Sequence, residues 1–243
     1  GFHHAMPGYA HGFCIFNDPV IAIQALIAQG ARVAYIDIDA HHGDGVQHAF
    51  YDTDQVLTIS IHESGDYLFP GTGYVSEYGE DSGKGYAINI PLAPGTSDET
   101  YIWALQAIVP PLINKFQPDV LATQLGIDTH FDDPLTHLKL TTLGYKKVVG
   151  ELKRLSPGRW IAFGGGGYDI SAVARSWTVA FATMSEVALD PTLPDLFAQR
   201  YGLLELYDNP QTTDLNSTSD IDPMHFAEKS VQAIQKEIFP MHN

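Results

Sequence analysis

The residues best suited to chemistry lie in one run, Asp37-Ile38-Asp39-Ala40-His41-His42-Gly43-Asp44-Gly45. It closes a short apolar, β-branched stretch, Arg32 to Asp39, that reads as a buried strand. Strand alternation sends Asp37 and Asp39 to the same side, and His41 follows at the strand's carboxyl end, the end at which open α/β sheets bind ligands. Ionisable groups converging there are costly without a cation or a dense hydrogen-bond network. A capped strand end with solvated charges accounts for a lone Asp-x-His, not for a run this dense. One carboxylate with one imidazole makes two-thirds of a hydrolytic zinc site, which keeps an open position for water and substrate. The third ligand is expected from another strand end. Asp119 to Leu125 runs into Gly126-Ile127-Asp128, which places Asp128 at the corresponding edge. By itself Asp128 reads as a turn or helix cap; its pairing with the first motif makes it a ligand candidate.

His3 and His4 form the next group. A neutral imidazole beside an activated water can take its proton, and one held by a carboxylate can stay charged. Asp37 and Asp44 are two spare carboxylates, enough for two such dyads. The plainer alternative is a pair of exposed loop histidines or the remnant of a tag. Gly164 to Gly167, followed by Tyr168, allow a tight turn and close approach of backbone to a ligand. The loop lacks the Lys-Ser/Thr of a phosphate-binding P-loop, whereas a tyrosine beside it can donate its hydroxyl to a developing oxyanion.

These groups need a scaffold. Asp18-Pro19 and Gly30 bracket a helix, with Asp18 as its cap. Strands are expected at 32–39, 56–61, 86–90, 119–125 and 159–163. A helix capped by Ser97 with Asp98 and Glu99 runs to about Phe116, broken or bent at Pro110-Pro111. Further helices are expected at 142–155 and 171–187. The alternation predicts an α/β fold, a mainly parallel sheet with helices on both faces in three α-β-α layers. From 186 onward the texture changes, with 10 acidic against 3 basic residues. There Asn209 to Pro223 reads as an exposed loop, and 224–238 as a helix that places Phe226, Ile234 and Ile238 on one face.

Composition bounds the rest. The 243 residues carry 13 Lys+Arg against 29 Asp+Glu, a formal charge of −16, and 44% are hydrophobic. That is enough for a real core, while the acidity disfavours a nucleic-acid face and leaves a basic partner or substrate open. A single cysteine, Cys14, excludes a disulfide framework and a Cys-rich zinc site and suits the cytoplasm. No apolar run is long enough to span a membrane, and no signal peptide opens the chain. The opening Gly-Phe-His-His-Ala, with no initiator Met, reads as an excerpt from a longer domain.

Taken together, HHA at 3–5, GFC at 12–14, ND at 17–18, DIDAHHGDG at 37–45, SIH at 60–62, FPGTG at 69–73, GID at 126–128 and GGGGY at 164–168 resemble the zinc-dependent histone deacetylase superfamily in order and near-spacing. DPLTHL at 133–138 and Ala40 look most like its bacterial acetoin-utilisation branch, the histone-deacetylase-like amidohydrolases. The similarity covers roughly residues 1–187, which it implies to be a catalytic core of arginase/deacetylase-like fold, with 188–243 an acidic loop and helix packed on the same domain. It implies Asp39, His41 and Asp128 as zinc ligands, His3 and His4 as tandem catalytic histidines with Asp37 and Asp44 as their partners, and Tyr168 as the group polarising the amide carbonyl. Phe13 and Phe69 match two aromatic walls around the acyl-lysine methylenes, and Gly12 a backbone contact there. Potassium is implied at Asp37, Asp39, His41, Ser60 and Ile61, and again at Phe50, Thr53, Val56 and Tyr86. The family's domain normally includes an upstream strand, helices and an acidic substrate-gripping residue, so the chain is expected to lack the first part of its domain.

The implied reaction is hydrolysis of an acetylated lysine or small acetylated amine to acetate and free amine, with either histidine open to either proton-transfer role. No nucleic-acid or membrane partner is expected, and a homo-oligomer is left open. Two rivals stand beside it. One is a silent module that binds acyl-lysine or an assembly partner, which hydrolysis would exclude; the other is a dimanganese ureohydrolase, which metal counting would reveal.

Overall fold

Five apolar stretches pair side by side as β1 (Val33–Asp37), β2 (Val56–Glu63), β3 (Ala87–Leu92), β4 (Val120–Leu125) and β5 (Trp160–Gly164). The computed structural model that shows this describes residues 1–208 and 221–242, so most of the loop expected at 209–223 lies outside the described residues. The sheet order is β3-β2-β1-β4-β5 and every pairing is parallel. β1 to β4 are buried along their whole length, as parallel strands covered on both faces must be. Because all strands run the same way, their carboxyl ends share one edge. Asp37 on central β1 sits level with Ser60 of β2 and Gln124 of β4.

Helices cover both faces. α1 (Asp18–Ile27) and the short α2 (Asp44–Ala49) pack Ile23 and Val46 against Val33, Tyr35 and Ala122 on one side. On the other lie α3 (Asp98–Phe116), α4 (Thr142–Leu155) and α7 (Pro223–Glu237), joined by Ala180 of α5 (Ile170–Ser185) around Ile36, Ile59, Ile88 and Leu121. α6 (Asp195–Tyr201) belongs to a small satellite cluster with Leu193 and Leu206. This is the expected three-layer arrangement. Among the described residues no helix is long and apolar enough to cross a membrane.

Several local expectations are corrected. The cap of α1 is Asn17, whose side chain accepts from Val20 N, while Asp18 lies in the first turn. Ser97 precedes α3 without a side-chain cap bond; the Asp98 carboxylate instead accepts from the backbone and hydroxyl of Thr141. α3 is not broken at Pro110-Pro111. Those prolines lie toward the outer side, where the carbonyls they leave unpaired can meet water, and the buried stripe Leu105, Ile108, Leu112 and Phe116 holds the helix on the sheet. β3 extends through Pro91, which it tolerates as an edge strand. α2 and α6 were not expected. Phe226 is only partly buried, and the inner face of α7 is Ala227, Ser230, Val231, Ile234 and Ile238.

Candidate metal centre and channel

The site forms where β1 and β4 end. Past Asp37 the chain leaves β1, and Ile38 N still reaches Gln124 O, so Asp39, Ala40 and His41 run along the tip of β4. Asp128 returns from β4 and accepts from Ala40 N at 2.7 Å. Ligand atoms of Asp39, His41 and Asp128 then all lie within 4.8 Å of one another. His41 Nδ1 stands 2.9 Å from Asp128 Oδ2 and 3.1 Å from Asp39 Oδ1. The remaining carboxylate lone pairs are occupied: Asp39 Oδ2 accepts from Gln124 Nε2 at 2.7 Å and from Gly166 N at 2.8 Å. The Thr136 hydroxyl donates to the Asp128 carbonyl and fixes its backbone.

This donor set fits a cation. Two buried carboxylates share one imidazole, so the negative charge exceeds what the protein supplies. Burial and the Asp39 charge push Asp128 up to about 8, whereas His41, despite burial, is raised to about 11 by bonds and charge from Asp128 and Asp39. Both shifts favour the protonated forms, and a cation would take the place of those protons. The space is shaped as well: a Cβ on Gly166 would come within 2.2 Å of Asp128 Oδ2, so the glycine loop can pass there only as glycine. That loop is no phosphate cradle, because Asp169 already caps α5 by accepting from Ala172 N.

The paired histidines lie in a turn but are not the exposed pair of the plainer alternative, being 3% and 4% exposed. His3 Nδ1 bonds Asp37 Oδ2 and His4 Nδ1 bonds Asp44 Oδ1, each at 2.7 Å. The two dyads differ in surroundings. His3 Nε2 lies 3.8 Å from Asp39, and Asp37 also accepts the Tyr35 hydroxyl at 2.6 Å. Burial pulls His3 down, but Asp37 and Asp39 outweigh it and hold it at about 9. His4 is lowered, first by burial and then by the charge of His3. A Cβ on Gly12 would strike the His4 ring at 2.4 Å, which explains the glycine at that contact.

His4 and His41 form the floor of a channel of about 390 Å³ walled by Gly12, Phe13, Leu68, Phe69, Leu135 and Tyr168. Phe13 is 84% exposed and held at φ +65°, a strained conformation for a non-glycine residue that turns its ring toward Tyr168, 6.2 Å between centroids. Tyr168 N donates to Asp133 Oδ2 at 2.8 Å. Burial, with Asp128 and Asp39 nearby, raises the Tyr168 hydroxyl far above its ordinary value, so it remains a donor. Behind the floor, His3, Cys14, Gly164 to Gly167 and Trp177 line a second cavity of about 520 Å³.

The structure thus gathers the expected ligands, dyads and channel residues. The two groups of residues considered for potassium are placed less distinctively. Ser60 is level with Asp37 on β2, but its hydroxyl bonds His62 Nδ1 at 2.9 Å. Tyr86 O already accepts from Thr58 N at 2.9 Å, and Thr53 Oγ1 from Gln55 N at 3.3 Å. Phe50 and Val56 are core residues, as is Ile61.

Sequence reasoning missed Gln124, Tyr35, Asp133, Leu135 and His11. Two had a signal. Gln124 is an amide in a strand that is otherwise apolar but for Thr123, and Tyr35 precedes Asp37 by two, on the same strand face.

Comparison with known proteins follows the same residues. The family described as Histone deacetylase domain matches residues 1–184. The acetoin utilization protein AcuC of Bacillus subtilis is 47% identical over 197 residues, 79% of this chain and 50% of that protein. AcuC of Staphylococcus xylosus is 41% identical over 208 residues, 83% and 54%. The chain therefore spans about half the length of the curated relatives it matches. Among solved structures, an HDAC homolog complexed with SAHA superposes with a TM-score of 0.86 at 33% identity, covering 96% of this chain and 65% of that one. An HDAC homolog from Aquifex aeolicus gives 0.82 at 33% identity with the same coverage.

Proposed function

The chain belongs to the histone deacetylase family, and from that premise we propose that it hydrolyses an acetylated amine to acetate and free amine with one zinc ion held by Asp39, His41 and Asp128. The observation that carries this reading is the convergence of those three ligand atoms, within 4.8 Å of one another, beside an aromatic channel that also presents His4 and Tyr168. The carboxylate and imidazole donors suit zinc, and when bound the ion supplies Lewis-acid polarisation of the amide and lowers the pKa of a water from about 15.7 toward about 7.

The chain's own residues do the rest. Phe13 and Phe69 flank the acyl-amine methylenes and exclude water from them. His4 Nδ1 donates to Asp44, which leaves Nε2 free to take the proton of the attacking water and then pass it to the leaving amine. As the water oxygen bonds the carbonyl carbon and the C–N bond breaks, the Tyr168 hydroxyl donates to the oxyanion. His3, held by Asp37 with Asp39 3.8 Å away, faces the adjoining cavity rather than the channel walls, and in this reading its part is electrostatic. This divides the two histidine roles by position.

The substrate class is an acetyl-lysine side chain or a small acetylated amine, since both present the same acylamine. Potassium at the backbone and hydroxyl oxygens near Ser60 and Tyr86 belongs to this reading, as does a cytoplasmic setting for the buried thiol Cys14. The test is a panel of fluorogenic acetyl-lysine peptides and acetylated small amines with the full-length protein, bound metal being quantified alongside. One zinc per chain and chelator-sensitive turnover are expected. Two manganese ions per chain would replace this reading with a ureohydrolase, and binding without turnover would leave only a silent module. Tyr168→Phe is expected to lower kcat by about 10²- to 10³-fold; near-full turnover in that variant removes its oxyanion role.

A further inference from the structure

The turn that supplies Gly12 and Phe13 also carries His11, which has no part in the steps above. Reciprocal backbone bonds close the turn, His11 N to Cys14 O at 2.9 Å and Cys14 N to His11 O at 2.7 Å. Its central residues have φ of +49° at Gly12 and +65° at Phe13. That backbone aims the His11 ring into the space between Asp44 and Phe69.

Two contacts result, to different parts of the site. His11 Nε2 lies 3.4 Å from Asp44 Oδ2, while the other oxygen, Oδ1, accepts from His4 Nδ1 at 2.7 Å and Gly45 N at 2.9 Å. The His11 ring also stands 5.0 Å from the Phe69 ring and 6.3 Å from His4, and His4 and Phe69 are 5.2 Å apart, so the three rings close on one another. Tyr9 backs the group at 5.8 Å from His11. His11 itself does not line the channel.

The physical consequence is twofold. A carboxylate held through one oxygen can turn about its Cβ–Cγ bond, and a partner on the second oxygen fixes its plane and with it the imidazole it orients. Phe69 is 45% exposed. A wall so exposed has freedom to swing, and ring contacts with three imidazoles confine it, His11 at 5.0 Å being nearer than His4 or His41.

We propose that His11 is a positioning residue that sets two parts of the channel at once, orienting His4 through Asp44 and holding the Phe69 wall through its ring. This rests on the hydrolytic reading above. The two roles separate by chemistry: His11→Gln keeps a polar group beside Asp44 without a ring, His11→Phe keeps the ring without a polar group, and His11→Ala keeps neither.

The test measures kcat and KM on an acetyl-lysine peptide, and separately the Kd of a linear alkyl hydroxamate, for the full-length zinc-loaded protein and the three variants. His11→Phe is expected to hold KM and Kd within about 2-fold while kcat falls roughly 10-fold or more. His11→Gln is expected to hold kcat within about 2-fold while KM and Kd rise by about 2- to 10-fold. His11→Ala shows both losses. Unchanged kinetics in all three variants, or losses that follow a fall in thermal midpoint with no split between kcat and KM, overturn the proposal. If the wild-type protein neither turns over the peptide nor binds the hydroxamate, the hydrolytic reading has failed, and this inference falls with it.

Discussion

Two buried charge clusters lie side by side in the chain and solve the same problem in opposite ways. Asp39, His41 and Asp128 bring two carboxylates to one imidazole. Two residues beyond Asp128, His130 enters a second cluster: Asp208 accepts from His130 Nε2 at 2.9 Å, Arg175 Nη1 at 2.6 Å and Thr142 N at 2.8 Å. Burial raises Asp208, but those bonds outweigh it and hold the carboxyl well below its usual range. In the first cluster burial and the neighbouring charge of Asp39 move the carboxyl of Asp128 up, and the single His41 does not offset them. A buried carboxyl matched by a guanidinium and an imidazole is structural, whereas two carboxyls sharing one imidazole suit an ion from outside.

The contrast breaks most sharply under deletion. Asp128→Ala removes a proposed ligand, and is expected to lose several kcal/mol of transition-state stabilisation, lowering kcat/KM on the order of 10³-fold, with bound metal lost in parallel. Turnover and metal content, measured together, decide it; full activity with metal retained ends the ligand assignment. Asp208→Ala strands buried Arg175 and is expected to cost roughly 3–5 kcal/mol in urea unfolding while zinc per chain stays the same. Metal loss in that variant would erase the distinction between the clusters.

Chelation comes next. Removing an ion held at about 100 times its Kd is expected to cost roughly 3 kcal/mol, a fall in Tm on the order of 5–10 °C. The metal-free protein should also respond to pH in a defined direction. Asp128 is raised from its ordinary carboxyl value to about 8 and His41 from 6.5 to about 11, so the folded state holds the extra protons. Stability then falls as pH rises through the interval from about 4 to 11, and zinc, by replacing those protons, flattens the slope. Thermal melts across pH with and without metal measure this, and identical slopes count against a cation site. The smallest effect is on the acid side. The depressed Asp208 carboxyl contributes stability that is present above the unfolded value of about 3.8 and is lost as pH falls toward its folded value. Asp208→Asn should therefore weaken the dependence of stability on pH below about 4, and an unchanged acid limb would separate Asp208 from acid unfolding.

Much of the site was legible because its pieces are local. Asp37, Asp39, His41 and Asp44 follow one strand within a few residues, and strand alternation alone puts the first two on one side. Asp128 was legible as a strand-end residue in a fold whose strands all point one way. His11 was not, because a half-exposed histidine in a turn carries no periodicity, and only the fold of residues 11–14 brings it against Phe69. The second cluster escaped for a like reason. Its carboxylate comes from a C-terminal stretch whose composition reads as an acidic surface, 78 residues from His130 and 33 from Arg175. Pro110-Pro111 looked like a break because propensity counts lost hydrogen bonds, whereas in the fold the buried stripe of α3 decides.

What the sequence by itself determined is which residue types gather: carboxylates and imidazoles able to hold a cation, a tandem of histidines with spare carboxylates nearby, and glycines that allow a tight turn. These follow from residue type and from a two-residue period, which act over short stretches of chain. Only the tertiary structure decided which charges are answered. His3 and His4 are neighbours with bonds of the same 2.7 Å, yet one is raised and the other lowered. Burial and Coulomb interactions depend on what lies nearby in space, and Asp39 lies beside His3 while the charge of His3 lies beside His4.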